Sequence, residues 1–150
     1  MSDRDLYNYV KLHEKLDIPI IAAEFPQHGL DAYAPWLLAK ATDALRGDVA
    51  LKGGITTLMK VAHVAEAFNM NLEIHHGGNS LNNFANLHVM LAIKNSSLFE
   101  VLLPEAAQKY GIISDLTIDP QGFIHAPKGM GIGAQIDFEL IRAKTVTVLR

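Results

Sequence analysis

Four short apolar runs in this chain each end on an ionisable side chain, and they do so at nearly constant intervals. Ile18-Pro19-Ile20-Ile21-Ala22-Ala23 ends in Glu24, Ala44-Leu45-Arg46-Gly47 in Asp48, Asn71-Leu72-Glu73-Ile74 in His75, and Ser97-Leu98-Phe99 in Glu100. The intervals are 24, 27 and 25 residues, about what one strand, one loop and one helix require. The pattern predicts four successive βα units, with an acid, an acid, a base and an acid at equivalent C-terminal strand ends. Such ends are where a tight turn leaves room for a ligand in α/β architectures.

The intervening sequence supports helices. Ser2 with Asp5 can cap a first helix through Leu16, with Leu6, Tyr9, Val10 and Leu16 on its buried stripe. The unbroken apolar run 18–23 reads as a parallel strand covered on both faces. A helix is expected around 35–42, packing through Trp36 and Leu37, and Gly53-Gly54 permit a tight turn after the second strand. Leu58, Val61, Ala62, Ala65 and Phe68 recur at helical spacing over 56–68. Ser80 can cap a helix to about Lys94 with Phe84, Ala85, Leu87 and Leu91 inward, and a fourth strand is expected over 97–102. Beyond Pro104 the pattern changes. Leu116–Ile118 and Phe123–His125 read as a hairpin about the turn 119–122, and a glycine-rich loop at 128–133 precedes a closing segment ending in 145–149. The reading is one domain over 1–150: a partial barrel over 1–104 and a C-terminal segment over 105–150.

Composition excludes several classes. A net charge of −3 offers no basic field for nucleic acid. No apolar run has the length of a membrane span, and the N-terminus lacks the apolar core of a signal peptide. The absence of cysteine removes disulfides and thiolate metal sites, and is compatible with the cytoplasmic location expected here. Seven histidines form no H-x-x-x-H or H-E-x-x-H, which argues against a zinc hydrolase. The glycines at 129, 131 and 133 have no preceding parallel strand, which argues against a dinucleotide site.

The four motifs together resemble the enolase superfamily, and within it the mandelate racemase/muconate lactonizing enzyme group, including its acid-sugar dehydratases. They are Glu24 in Ala-Ala-Glu-Phe-Pro, Asp48 before Lys52-Gly53-Gly54-Ile55-Thr56, His75 after Phe68-Asn69-Met70-Asn71, and Glu100 in Leu98-Phe99-Glu100. The resemblance covers nearly the whole chain and implies the C-terminal half, about four βα units, of a TIM-type (β/α) barrel plus a hairpin and tail. It implies that Glu24 is a carboxylate ligand of Mg²⁺. Asp48 and His75 would be an Asp–His dyad, and Glu100 the acid that hydrogen-bonds the substrate carboxylate in its enolic form. Removing a proton α to a carboxylate creates charge that a cation and an aimed acid stabilise. A histidine with an ordinary pKa of about 6.5 is a suitable base, and an aspartate can fix its tautomer.

The expected activity is therefore abstraction of the α-proton of a sugar acid or hydroxy acid, followed by loss of water. A racemase or epimerase is the alternative, as is a non-catalytic half barrel that folds only by association. His76 competes with His75 because neighbours on a strand point to opposite sides; the spacing from Phe68 selects His75. His76 and Asn79, with His28, Asn82 and Asn83, are candidate contacts to a hydroxylated substrate, although Asn at a helix start ordinarily caps. Lys52 beside Gly53 could reach a carboxylate, but it is read as solvated. The superfamily's other metal carboxylates, its lysine-bearing strand and its capping domain find no counterpart in this sequence. The chain alone is thus expected to bind Mg²⁺ weakly or not at all and to be catalytically silent. The expected partners are a small carboxylate and either a second copy or a complementary N-terminal half.

Overall fold

In the computed structural model, residues 4–24, 29–76, 80–104 and 110–148 are described. Helix α1 (Leu6–Lys15) starts at Asp5, whose side chain accepts the Asn8 N–H, and Leu6, Tyr9 and Val10 pack on the core as their spacing requires. The expected companion cap Ser2 lies outside the described residues. Strand β1 (Ile21–Ala22) is followed by α2 (Ala34–Leu38), β2 (Ala44–Gly47), α3 (Ile55–Ala67), β3 (Asn71–Ile74), α4 (Ser80–Ala92) and α5 (Phe138–Lys144). The three strands form one parallel sheet in the order β1-β2-β3, with Ala22 opposite Leu45 and Gly47 opposite Ile74. In-register parallel pairing brings the ends of successive strands side by side, which is what gathers residues 24, 48 and 75 along one lip.

Alternation sorts the side chains. Leu45, Leu72 and Ile74 are buried with Leu58, Val61, Ala62 and Ala65 of α3 and with Trp36 and Leu37 of α2. Each such Leu or Val is worth about 1.5–3 kcal/mol relative to exposure. The intervening residues Arg46, Glu73 and His75 point the other way. At Gly47 a Cβ would lie 2.7 Å from Leu58 Cδ1 and 2.8 Å from Tyr33 Oη. The missing side chain lets Tyr33 reach the Arg46 carbonyl with its hydroxyl (3.0 Å). Gly53 and Gly54 adopt φ of +88° and +97°, the left-handed conformation that opens α3.

Several expectations need correction. The first strand is two residues long, and it is not covered on both faces: Ile18 and Ile21 are 66% and 40% exposed. Phe68 and Leu91 sit largely in solvent, because α3 and α4 each bury a narrower stripe, which in α4 runs through Phe84, Leu87 and Val89. Residues 97–102 form no strand. The Leu72 N–H bonds to the Asn95 carbonyl (2.8 Å), but further along the Glu73 carboxylate takes the place of a ladder. It accepts the N–H groups of Ser97 and Leu98 (3.2 Å each) and the Ser97 hydroxyl (2.8 Å). The hairpin reduces to a single Ile118–Ile124 bridge closed around Asp119. The closing segment holds α5, which periodicity had not revealed. A second apolar cluster of Phe84, Leu87 and Leu116, joined by Phe99, Ile112 and Ile124, fastens this C-terminal segment to α4.

Candidate active site

The lip of the sheet carries a compact group of charges. His75, one residue past β3, lies between two acids: Nδ1 is 2.5 Å from Glu24 Oε1 and Nε2 is 3.7 Å from Glu100 Oε2. The first contact is an ion pair and not an aligned hydrogen bond, since neither atom has a hydrogen-bond partner. Arg46 completes the ring. Its guanidinium binds both oxygens of Glu100 (2.6 and 2.7 Å), and its Nε lies 3.4 Å from Glu24 Oε2. Contact with Glu24 holds the His75 pKa above its usual 6.5, against the effect of burial.

Glu100 stays ionised. Burial raises its pKa, but the Arg46 hydrogen bonds and the His76 N–H (3.1 Å) bring it below the usual carboxylate value. A group held as an anion by these donors accepts hydrogen bonds; to donate one it must first lose Arg46.

Asp48 is almost fully buried and faces α4. Oδ2 accepts the side-chain amides of Asn82 (2.5 Å) and Asn86 (2.8 Å), and Oδ1 accepts the Leu51 N–H (3.0 Å). The ion pairs of His75 are with Glu24 and Glu100, and those of Asp48 with His75 are absent among the described residues. Glu24, His75 and Glu100 are thus brought together at the lip, and Asp48 stands beside them with its carboxylate turned to the helix.

His76 is buried to 1% exposure, with both ring nitrogens unpartnered and its ring 4.0 Å from that of Phe99. Burial pushes its pKa down to about 4. Two adjacent histidines are therefore pushed in opposite directions: the ion pairs of His75 favour its imidazolium, and desolvation favours the neutral ring of His76. Asn79 and His28 lie outside the described residues. Lys52, expected in solvent, is instead buried to 1% exposure with its ammonium 4.8 Å from the centre of the Tyr33 ring, and burial lowers its pKa. Sequence reasoning missed Arg46 and Asn86. Alternation from Asp48 places Arg46 on the same side of β2, which was the available signal; a buried Asn in mid-helix leaves none.

Mg²⁺ requires near-octahedral oxygen coordination. Among the described residues no three His, Cys, Asp or Glu side chains are grouped to hold a metal ion. Glu24, the residue implied as ligand, already faces Arg46 and His75. The described donors do not fit the ion.

The chain and its fold match known proteins over most of the chain's length. Residues 1–140 match the family described as enolase C-terminal domain-like. The chain belongs to this family. An arabinonate dehydratase of Saccharolobus solfataricus is 28% identical over 131 residues, 84% of this chain and 33% of that protein. The D-glucarate dehydratase of Agrobacterium tumefaciens, solved in complex with magnesium, is 34% identical with a TM-score of 0.83, over 95% of this chain and 38% of that one. A mandelate racemase/muconate lactonizing enzyme from Sulfitobacter sp. is 26% identical with a TM-score of 0.84, over 99% of this chain and 37% of that one. The chain thus spans a third of the curated relative and under two fifths of the solved ones. As a member of the enolase superfamily it has dehydratase-type relatives and an α/β fold corresponding to part of their C-terminal barrel domain. No helix among the described residues is long and apolar enough to cross a membrane.

Proposed function

We propose that this chain supplies part of an active site that removes the proton α to the carboxylate of a sugar acid and expels the β-hydroxyl as water. The observation that carries the reading is the placement of His75 between Glu24 and Glu100 at the strand lip. With Glu24 against Nδ1, the neutral ring keeps its proton on Nδ1 and offers Nε2 to the substrate. The α C–H bond breaks as its proton passes to Nε2. The same proton then leaves with the β-hydroxyl as that C–O bond breaks, and the enol left behind becomes a 2-keto-3-deoxy acid. Arg46 is the cation beside the developing negative charge. Because His75 must be neutral to accept the proton, activity should rise as pH passes upward through its elevated pKa.

The dehydratase reading is supported by the arabinonate and glucarate dehydratases among the relatives. Its test is α-proton exchange into arabinonate and glucarate in D₂O with Mg²⁺ supplied, followed by proton NMR. Exchange is expected, with loss in His75→Asn; an unchanged rate in that variant removes the base assignment. Any Mg²⁺ held at Glu24 would need oxygen donors beyond those described.

Among the described residues the outer edge of β1 is unpaired, which favours a second reading, in which the chain works only when its sheet is completed. Ile18 and Ile21 on one side and Leu98 and Leu103 on the other are exposed apolar residues, a liability for an open sheet. A second copy or a complementary N-terminal half would cover them. Sedimentation equilibrium tests this: a stable, folded monomer of 16.4 kDa excludes pairing with a second copy and shows that folding needs no complementary half. The exchange assay belongs to whichever assembly that measurement identifies.

A further inference from the structure

Asn86 lies in the middle of α4, fully buried, and every polar atom of its side chain is engaged at a strand tip. Its Nδ2 donates to Asp48 Oδ2 (2.8 Å) and to the His75 carbonyl (2.8 Å), while its Oδ1 accepts the Val49 N–H (2.8 Å). One amide thus spans the end of β2 and the end of β3. Both of its N–H bonds are used, in directions the planar amide fixes. We propose that Asn86 is the positioning residue of this site, its side-chain amide joining the Asp48 carboxylate to the His75 backbone and so setting where the His75 ring stands.

The chemistry of the amide is what the position requires. Asp48 presents only acceptors and the His75 carbonyl presents only an acceptor, so whatever stands between them must donate twice. The Val49 N–H must be accepted by the same group. Asparagine meets all three demands, and a buried network of this kind fixes geometry when every member is satisfied. Aspartate at 86 has nearly the same shape but places a carboxylate against a carboxylate. Leucine has the same branching at Cγ, is somewhat larger, and has no polar atom. Asn82, four residues earlier in α4, also donates to Asp48 Oδ2 but is not bonded to the His75 carbonyl. The strand tips are also paired directly, the His75 N–H bonding the Gly47 carbonyl (2.8 Å), so what depends on position 86 is the side-chain link from the Asp48 carboxylate to the His75 carbonyl.

This inference rests on the reading of His75 as the proton-transfer residue, and its test uses no substrate. Ring carbon and nitrogen resonances of His75 are compared at fixed pH in the wild-type chain, Asn86→Asp, Asn86→Leu and Val89→Ala. Val89 is a buried core residue of the same helix. The two Asn86 variants should displace the His75 resonances, Asn86→Asp the more, while Val89→Ala lowers stability and leaves them in place. Unmoved resonances in the folded Asn86 variants, or equal displacement in Val89→Ala, overturn the proposal.

Should the Asn86 variants fail to fold, the wild-type chain still decides. Its Asn86 side-chain amide protons should exchange as slowly as core backbone amides, and exchange at the rate of a surface asparagine overturns the link. Failure of the substrate-exchange assay would leave these resonance results standing, and the reverse holds as well.

Discussion

Replacing Glu73 by alanine should loosen the segment after α4 far more than a change at one residue of β3 would suggest. The carboxylate accepts the N–H of Ser97, the N–H of Leu98, the Ser97 hydroxyl and the Asn71 side-chain amide. Bonds to an ionised acceptor contribute more than neutral ones, but Ser97 and Leu98 are exposed, so water re-solvates the freed donors. Four bonds at about 0.5–1 kcal/mol each, less the relief of no longer burying a charge, leave a net loss of about 2 kcal/mol. For a chain of this size that lowers Tm by about 4–8 °C. Glu73→Gln keeps one acceptor and should lose about half as much. Urea denaturation measures the difference, and hydrogen exchange at the Ser97 and Leu98 amides locates it. The Glu73 pKa lies below its ordinary 4.5: burial raises it, but the bonds from Ser97, Asn71 and Leu98 outweigh that. A depressed folded-state pKa stabilises the fold above the unfolded value and ceases to do so as pH falls through the folded one. The gap between wild type and Glu73→Ala should therefore close below about pH 4.5. A loss under about 0.5 kcal/mol at neutral pH, or a gap indifferent to acid, would refute the account.

The two histidines should give stability a maximum near their ordinary pKa of 6.5. His75, raised in the folded state, stabilises below 6.5 and loses that contribution as pH climbs through its folded pKa; His76, lowered to about 4, penalises the fold progressively as pH falls from 6.5 to 4. Urea midpoints from pH 4 to 9 should show His75→Gln flattening the alkaline limb and His76→Phe the acid limb. Gly47→Ala should cost about 1–3 kcal/mol, because the new Cβ meets Leu58 and Tyr33; a neutral result would mean that Tyr33 can withdraw freely. Millimolar Mg²⁺ should leave the Tm of a proven monomer unchanged, and micromolar affinity by calorimetric titration would contradict the fit of the donors described above.

Much of the architecture was legible because two periodicities survive in the sequence. The 3.6-residue recurrence of Leu58, Val61, Ala62 and Ala65 marks α3, and the strand ends at Asp48 and His75 lie one residue past β2 and β3. Short, one-sided elements were harder to read. The run 97–102 looks like a strand, yet Glu73 supplies by side chain what a neighbouring backbone would supply in a ladder, and no local pattern announces that exchange. At the site, residue types and order were visible, while the pairings were not. Whether His75 meets Asp48 or Glu24 depends on Asn82 and Asn86, 34 and 38 residues after Asp48, which draw the Asp48 carboxylate to α4. Lys52 illustrates the same limit: lysine is usually solvated, yet this one is buried with its ammonium beside the Tyr33 ring.

Packing residues and charged residues are interleaved one by one along β2 and β3, so the reading frame of each strand is itself a constraint. Deleting a single residue within 71–74 would rotate Glu73 toward Val61 and Ala62 and turn a leucine or isoleucine onto the charged lip, inverting both surfaces at once. Loops tolerate changes of length far more readily. Variation in this chain should accordingly concentrate as insertions between the elements and as substitutions within them, with strand length held constant.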